Sequence, residues 1–226
     1  MINSNQIAVI PARKNSKGLK DKNLIFFDFT AKFVKNLNIF DKIIFSSDDN
    51  RILNKSKKFK FINHKRKKKY SLDNTSIKKT LINICKEMKL QSNDIIWLFY
   101  LPLLFRRKKD FLINYKTTKM KGFKSLCSFR KIDNLYHPYY SWQIGKKLIK
   151  QYVFNKIHRR QDLPKAFIHY HYISCFKKKE LIKLNEELIN NNTTPWIIDN
   201  NLDKKLIEVD TKEDYNKYKN AIKNKK

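Results

Sequence analysis

Arg13, Lys17 and Lys22 crowd around Gly18, the only glycine among the first 121 residues of a chain that holds three. Cations so placed can meet the oxygens of a phosphate chain, and an arginine can do so with two parallel bonds. Asn15 and Ser16, lying between them, favour a turn whose amides point outward. The loop follows the apolar run Ile7 to Ile10. A strand that opens into a basic, glycine-bearing turn is a ready cradle for phosphate. The string is neither a G-x-x-x-x-G-K-[ST] loop nor a G-x-G-x-x-G turn.

The elements that must hold this loop follow from the hydrophobic pattern. Continuous apolar character predicts a buried strand over residues 7–11. Helix is predicted over 30–37, strand over 42–47, helix over 51–58 and a short strand over 59–63. Ile77, Leu81, Ile84, Cys85 and Met88 fall at helical spacing within 76–89. A strand over 94–100, a helix over 107–116 and a strand over 125–129 come next. Strands alternating with helices argue for a parallel α/β sheet with right-handed crossovers. Beyond residue 130 the pattern changes. Residues 139–144 and 148–154 flank Gly145-Lys146-Lys147 as a hairpin, and 161–165 read as a loop. Residues 167–175 alternate as a strand, 177–184 suggest a helix, and the Asn-rich 185–194 a loop. A short strand over 207–209 and a helix over 212–222 close the chain.

A length of 226 residues with 41% hydrophobic content fits one domain with an ample core. No apolar run approaches a membrane span, and the first residues lack the pattern of a signal peptide. A cytoplasmic protein is expected. Cys85, Cys127 and Cys175 are widely spaced among apolar neighbours and read as buried free thiols. The net charge is +31, yet only eight of the 51 basic residues are arginine, and the charge is spread along the chain. Abundant Lys, Asn and Ile are what A/T-rich coding produces. The field would draw anionic substrates and raise nonspecific polyanion binding at low salt. No RNA-recognition string is present, so no specific nucleic-acid partner is expected.

Read in full, Pro11-Ala12-Arg13, Asn15-Ser16-Lys17-Gly18-Leu19 and Lys22-Asn23-Leu24 resemble the N-terminal signature of the acylneuraminate cytidylyltransferases. The related Kdo cytidylyltransferases carry a different loop. The resemblance continues in order through most of the chain. It takes in Ser46-Ser47-Asp48, Arg66 ahead of Asp73, His137-Pro138, Arg160-Gln161-Asp162-Leu163-Pro164, and Glu208-Val209-Asp210-Thr211 with Asp214.

The resemblance implies a Rossmann-like, mainly parallel α/β sheet flanked by helices. A small β-hairpin subdomain, roughly 131–165, would protrude from it and pair two chains as a homodimer. It implies that CTP and a sialic-acid-like nonulosonic acid give the CMP-sugar and pyrophosphate, a step in glycan biosynthesis. In such a reaction the protein positions two anions and neutralises shifting charge, so a divalent cation is expected. Arg13, Asn15, Ser16, Lys17 and Gly18 would wrap the triphosphate, and Lys22 and Asn23 would touch phosphate and ribose. Arg66 would face the cytosine, with Ser76 near the nucleotide. Glu208 and Asp210 would hold Mg²⁺; their i, i+2 spacing puts both carboxylates on one side of a strand end, which suits a hard cation. Arg13, Lys22 and Asp210 are the residues assigned to catalysis.

The sugar side departs from the family. Tyr100 stands where an amide is usual, and of the expected polar loop only Arg106 survives. Ile168-His169-Tyr170-His171-Tyr172 replaces another sugar-binding stretch. Tyr100, Arg106, His169, Tyr170 and His171 are therefore the candidates for the sugar pocket. His169 and His171 would share one strand face, but no third ligand is evident in the sequence, so a zinc site is not expected. The alternatives are a relative that binds CTP without turnover, and a basic RNA-binding protein.

Overall fold

The computed structural model describes residues 4–14, 18–146 and 148–223. The elements run β1 (Gln6–Ala12), α1 (Lys22–Leu37), β2 (Lys42–Ser47), α2 (Asn50–Lys57), β3 (Ile62–Lys65), α3 (Ile77–Glu87), β4 (Ile95–Leu98), α4 (Lys108–Thr118) and β5 (Ser125–Lys131). The short strands β6 (Trp142–Ile144) and β7 (Ile149–Gln151) follow, then β8 (Phe167–Lys177), β9 (Thr193–Ile197), α5 (Asn200–Asp203) and α6 (Lys212–Lys223). Seven strands form one sheet in the order β3-β2-β1-β4-β8-β5-β9. Every pairing in it is parallel except those of β8, which runs against both β4 and β5. The architecture is the mainly parallel, helix-flanked α/β sheet that the sequence implies. No helix among the described residues is long and apolar enough to cross a membrane.

Strand β1 lies buried at the heart of the sheet. Its alternation divides the core in two: Ala8, Ile10 and Ala12 pack on one face with Phe26, Phe27 and Phe111. Ile7 and Val9 pack on the other with Leu81, Ile84 and Phe176. Successive strand side chains point to opposite faces, so a strand apolar throughout must be covered on both. Trp97 on β4 buries its indole and donates from Nε1 to Gln6 Oε1 at 2.7 Å. Cys85, Cys127 and Cys175 are free and buried.

Several boundaries differ from expectation. Helix α1 begins at Lys22, well before residue 30. Its first turns carry Ile25, Phe26, Phe27 and Phe29, types that also suit a strand, and burial of Phe26 and Phe27 settles the outcome. Residues 207–209 form no strand. They make a single bridge, Leu103 to Glu208. Part of the presumed Asn-rich loop is β9, an edge strand that exists through its parallel pairing with β5. Residues Lys178–Lys183 wind as a 3-10 helix.

The hairpin of β6 and β7 is a separate two-stranded sheet. Between the pairs Cys127–Ser174 and Phe129–His169, β5 contributes one residue, Ser128, while β8 runs through residues 170–173. Ser128 ties the irregularity together. Its hydroxyl donates to the Tyr170 and Ile173 carbonyls and accepts from the Ile173 amide at 2.9 Å.

Candidate active site

Strands β1 to β4 all deliver their C-terminal ends to one rim, and the chain reverses its direction of travel across the sheet between β1 and β4. Crevices at such switch points are where open α/β sheets hold ligands. A cavity of about 430 Å³ lies there. Its wall includes Pro11 and Arg13 beyond β1, Arg66 beyond β3, Tyr100 and Pro102 beyond β4, and Glu208 and Asp210 from the late segment.

Helix α1 points its N-terminus into this cavity through Lys22 and Asn23. The helix dipole favours an anion there, although the Lys22, Leu24 and Ile25 amides already donate to the Leu19 and Asp21 carbonyls. Asn23 donates from Nδ2 to the Arg13 carbonyl at 2.8 Å, fixing the turn against the helix start. Arg13 pairs with Asp73, and Lys22 with Asp210. The Lys14 amide donates to Asp48 Oδ1 at 2.8 Å, which anchors the turn to the end of β2. Asn15, Ser16 and Lys17 lie outside the described residues.

Gly18 explains its own presence. A Cβ there would sit 2.1 Å from the Asp210 carbonyl oxygen, far inside carbon–oxygen van der Waals contact. Only glycine lets the basic turn and the acidic segment approach this closely. The two motifs, nearly two hundred residues apart in sequence, meet at one wall.

Arg66 is buried and lacks a carboxylate partner among the described residues. It donates to the Ser46 hydroxyl at 3.3 Å and the Ser46 carbonyl at 3.0 Å. The same hydroxyl meets His64 Nδ1 at 2.9 Å, and His64 Nε2 meets Glu87 at 2.9 Å. Burial pushes the Arg66 guanidinium down to about 10, with the Arg13 charge adding to the shift and Asp48 opposing it. It remains a cation at neutral pH, held by a buried network and facing the cavity.

Glu208 lines the open mouth of the cavity, where its side chain stays exposed to solvent. Desolvation, followed by repulsion from Asp210, raises its carboxyl above the usual range, opposed by Tyr170, Lys22 and Arg106. No ion pair among the described residues engages Glu208. Two neighbouring carboxylates, one without a paired cation, suit a hard divalent ion with oxygen ligands.

The other candidates divide. Tyr100 and His171 line the cavity, their rings 4.9 Å apart. Tyr170 stands beside Glu208 and under the Arg130 guanidinium at 5.1 Å. Arg106 does not line the cavity. Its guanidinium turns inward to the Leu103 and Tyr100 carbonyls and Thr30, over Phe33 and Phe99. It closes the turn after β4, a structural role that its strand-end position could not disclose. Ser76 likewise caps α3, accepting from the Lys79 amide, while its neighbours Thr75 and Ile77 face the cavity. His169 sits behind His171, with Nε2 2.8 Å from Cys127 Sγ. Sequence reasoning did not single out Tyr70, Leu72 or Thr75, which complete the wall. Their signal was only their place in the segment after Arg66.

A cytidylyltransferase family model matches residues 7–127, from β1 into β5. The chain belongs to the cytidylyltransferase family. A comparison with curated proteins finds no match. Solved structures share the fold of this cytidylyltransferase across nearly its whole length. CMP:2-keto-3-deoxy-manno-octonic acid synthetase, complexed with CTP, is 15% identical with a TM-score of 0.68, covering 99% of this chain and 100% of its own. The 4-diphosphocytidyl-2C-methyl-D-erythritol synthase of Anaerococcus prevotii is 15% identical with a TM-score of 0.57, covering 93% and 92%. A putative glucose-1-phosphate thymidylyltransferase of Bacillus anthracis is 10% identical with a TM-score of 0.52, covering 94% and 93%. The family assignment reaches cytidylyl transfer; it does not reach the acylneuraminate acceptor.

Proposed function

We propose that this protein transfers CMP from CTP to the anomeric hydroxyl of a sialic-acid-like nonulosonic acid, releasing pyrophosphate. The observation that carries the reading is the meeting of the basic turn with Glu208 and Asp210 across the Gly18 contact, at the mouth of α1. The hydroxyl oxygen forms a bond to the α-phosphorus, the bond to the bridging oxygen breaks, pyrophosphate leaves with the electron pair, and the hydroxyl proton passes to solvent. Such a reaction asks mainly for alignment and charge neutralisation.

Arg13 and Lys22 supply positive charge where the triphosphate lies, and the α1 amides add fixed dipoles. Asn23 holds the turn. Asp210 orients Lys22, and Arg66 faces the base. Glu208 and Asp210 would hold Mg²⁺, which supplies charge neutralisation on the leaving pyrophosphate. Tyr100, Tyr170 and His171 form the acceptor end. The resemblance supports a cytoplasmic enzyme that acts as a homodimer. Ile144 and Leu148 in the hairpin and Phe154 just beyond it are each 81% exposed, which is consistent with such pairing.

The test is pyrophosphate release from CTP and Mg²⁺ with N-acetylneuraminic, legionaminic, pseudaminic and 2-keto-3-deoxy-manno-octonic acids. Turnover with one of the first three supports the proposal. Turnover with the octonic acid alone overturns the acceptor. CTP binding by calorimetry without turnover of any sugar marks a nucleotide-binding relative instead.

A further inference from the structure

His169, His171 and Glu187 come together although Glu187 lies on a distant loop. Glu187 Oε2 stands 3.5 Å from His169 Nδ1 and 3.5 Å from His171 Nε2. One donor atom from each of the three side chains falls within 4.8 Å of the others. A separation of 3.5 Å is long for a charge-assisted hydrogen bond. It is close to the edge of a zinc tetrahedron, which is about 3.3–3.4 Å for bonds of about 2.0–2.1 Å.

The surroundings point the same way. His171 Nδ1 is buried with no hydrogen-bond partner among the described residues, so the ring's polar contact is with Glu187, which its Nε2 faces. His169 is turned by its other nitrogen, Nε2, against the Cys127 sulfur at 2.8 Å, leaving Nδ1 to face Glu187. Outer contacts of this kind orient metal-binding histidines. Cys127 is buried and faces the ring nitrogen turned away from Glu187, so it serves as a support.

We propose that His169, His171 and Glu187 bind a zinc ion behind the acceptor wall of the cavity. Two imidazoles and one carboxylate suit this borderline ion, whereas Mg²⁺ prefers oxygen donors and water. The site is thus chemically separate from Glu208 and Asp210. Three protein donors leave a fourth position for water or an oxygen ligand. The bound ion would fix the His171 ring and, through it, Tyr100. This inference does not depend on the acceptor or on turnover.

The experiment uses the untagged full chain, loaded with zinc chloride and dialysed against metal-free buffer containing excess Mg²⁺. Metal content is read by mass spectrometry, and coordination by the visible bands of a cobalt-substituted sample. The expected result is one zinc per chain and a four-coordinate cobalt spectrum. Glu187→Gln, at an exposed loop position, should keep the native circular dichroism and weaken zinc at least about tenfold. His171→Phe, which keeps an aromatic ring in place, should abolish retention. Loss of all zinc on dialysis overturns the proposal. So does equal zinc affinity in the wild type and both variants.

Discussion

The two ends of the cavity are built differently. At the nucleotide end, short-range sequence does most of the positioning: one turn and one helix start bring Arg13, Gly18, Lys22 and Asn23 together. At the end proposed for the acceptor, the wall is assembled from separate places. Tyr100 follows β4 and His171 rides the irregular part of β8, with Glu187 behind it on a loop. A contiguous turn can be read from sequence and tolerates drift elsewhere. A composite wall can change its chemistry residue by residue while the fold stays fixed, which is where this chain departs from the family it resembles.

The comparison predicts its own largest break at the nucleotide end. Gly18→Ala should lower kcat/KM for CTP by about 100-fold, because the turn must retreat from the Asp210 backbone and carry its cations out of line. Pyrophosphate release measures it; wild-type turnover would show that the turn relaxes freely. Arg66→Met comes next, with CTP affinity by calorimetry falling about 10- to 100-fold as charge-assisted bonds are lost. Because burial already disfavours this cation, the thermal midpoint should hold or rise.

Glu208→Gln sharpens the picture through pH. The folded carboxyl titrates above its unfolded value, so ionisation above that unfolded value penalises the native state. In metal-free buffer the variant should therefore melt higher than wild type at neutral pH. The gain should fade as pH falls through the raised folded value and vanish below the unfolded one. Melting curves across that range check the sign. The smallest effect belongs to Ser76→Ala. Loss of the cap on α3 should cost about 1 kcal/mol in denaturant unfolding and leave the KM for CTP unchanged. A raised KM would return Ser76 to the nucleotide.

Much of the parallel half was legible because β1, β2 and β4 are short apolar runs whose burial leaves few alternatives. The start of α1 was not, since its aromatic run suits either element until tertiary packing decides. The edge strand β9 was hidden because Thr193 to Ile197 carries little apolar alternation and contains Pro195; the strand is made by its neighbour. At the site, Gly18 was legible as a constraint, although the Asp210 carbonyl that imposes it was not. Arg106 and Ser76 misled for one reason: position along a motif says where a backbone goes, and local hydrogen bonds decide where the side chain turns. Glu187 left no signal, because nothing in a loop's composition states which strand end it covers.

The reversed strand β8 also bears on how this molecule comes into being. The β3-β2-β1-β4 half needs only residues emerging from the ribosome before the hundredth, yet the outer edge of β4 finds its cover at Cys175 to Lys177. Until then a nascent chain displays Ile95, Ile96 and Trp97 along a bare hydrogen-bonding edge, the kind of surface that recruits strays from other chains. Synthesis of the middle third is thus the window in which a chaperone has most to protect, and a truncation before residue 175 should aggregate rather than survive as a half-sized fold.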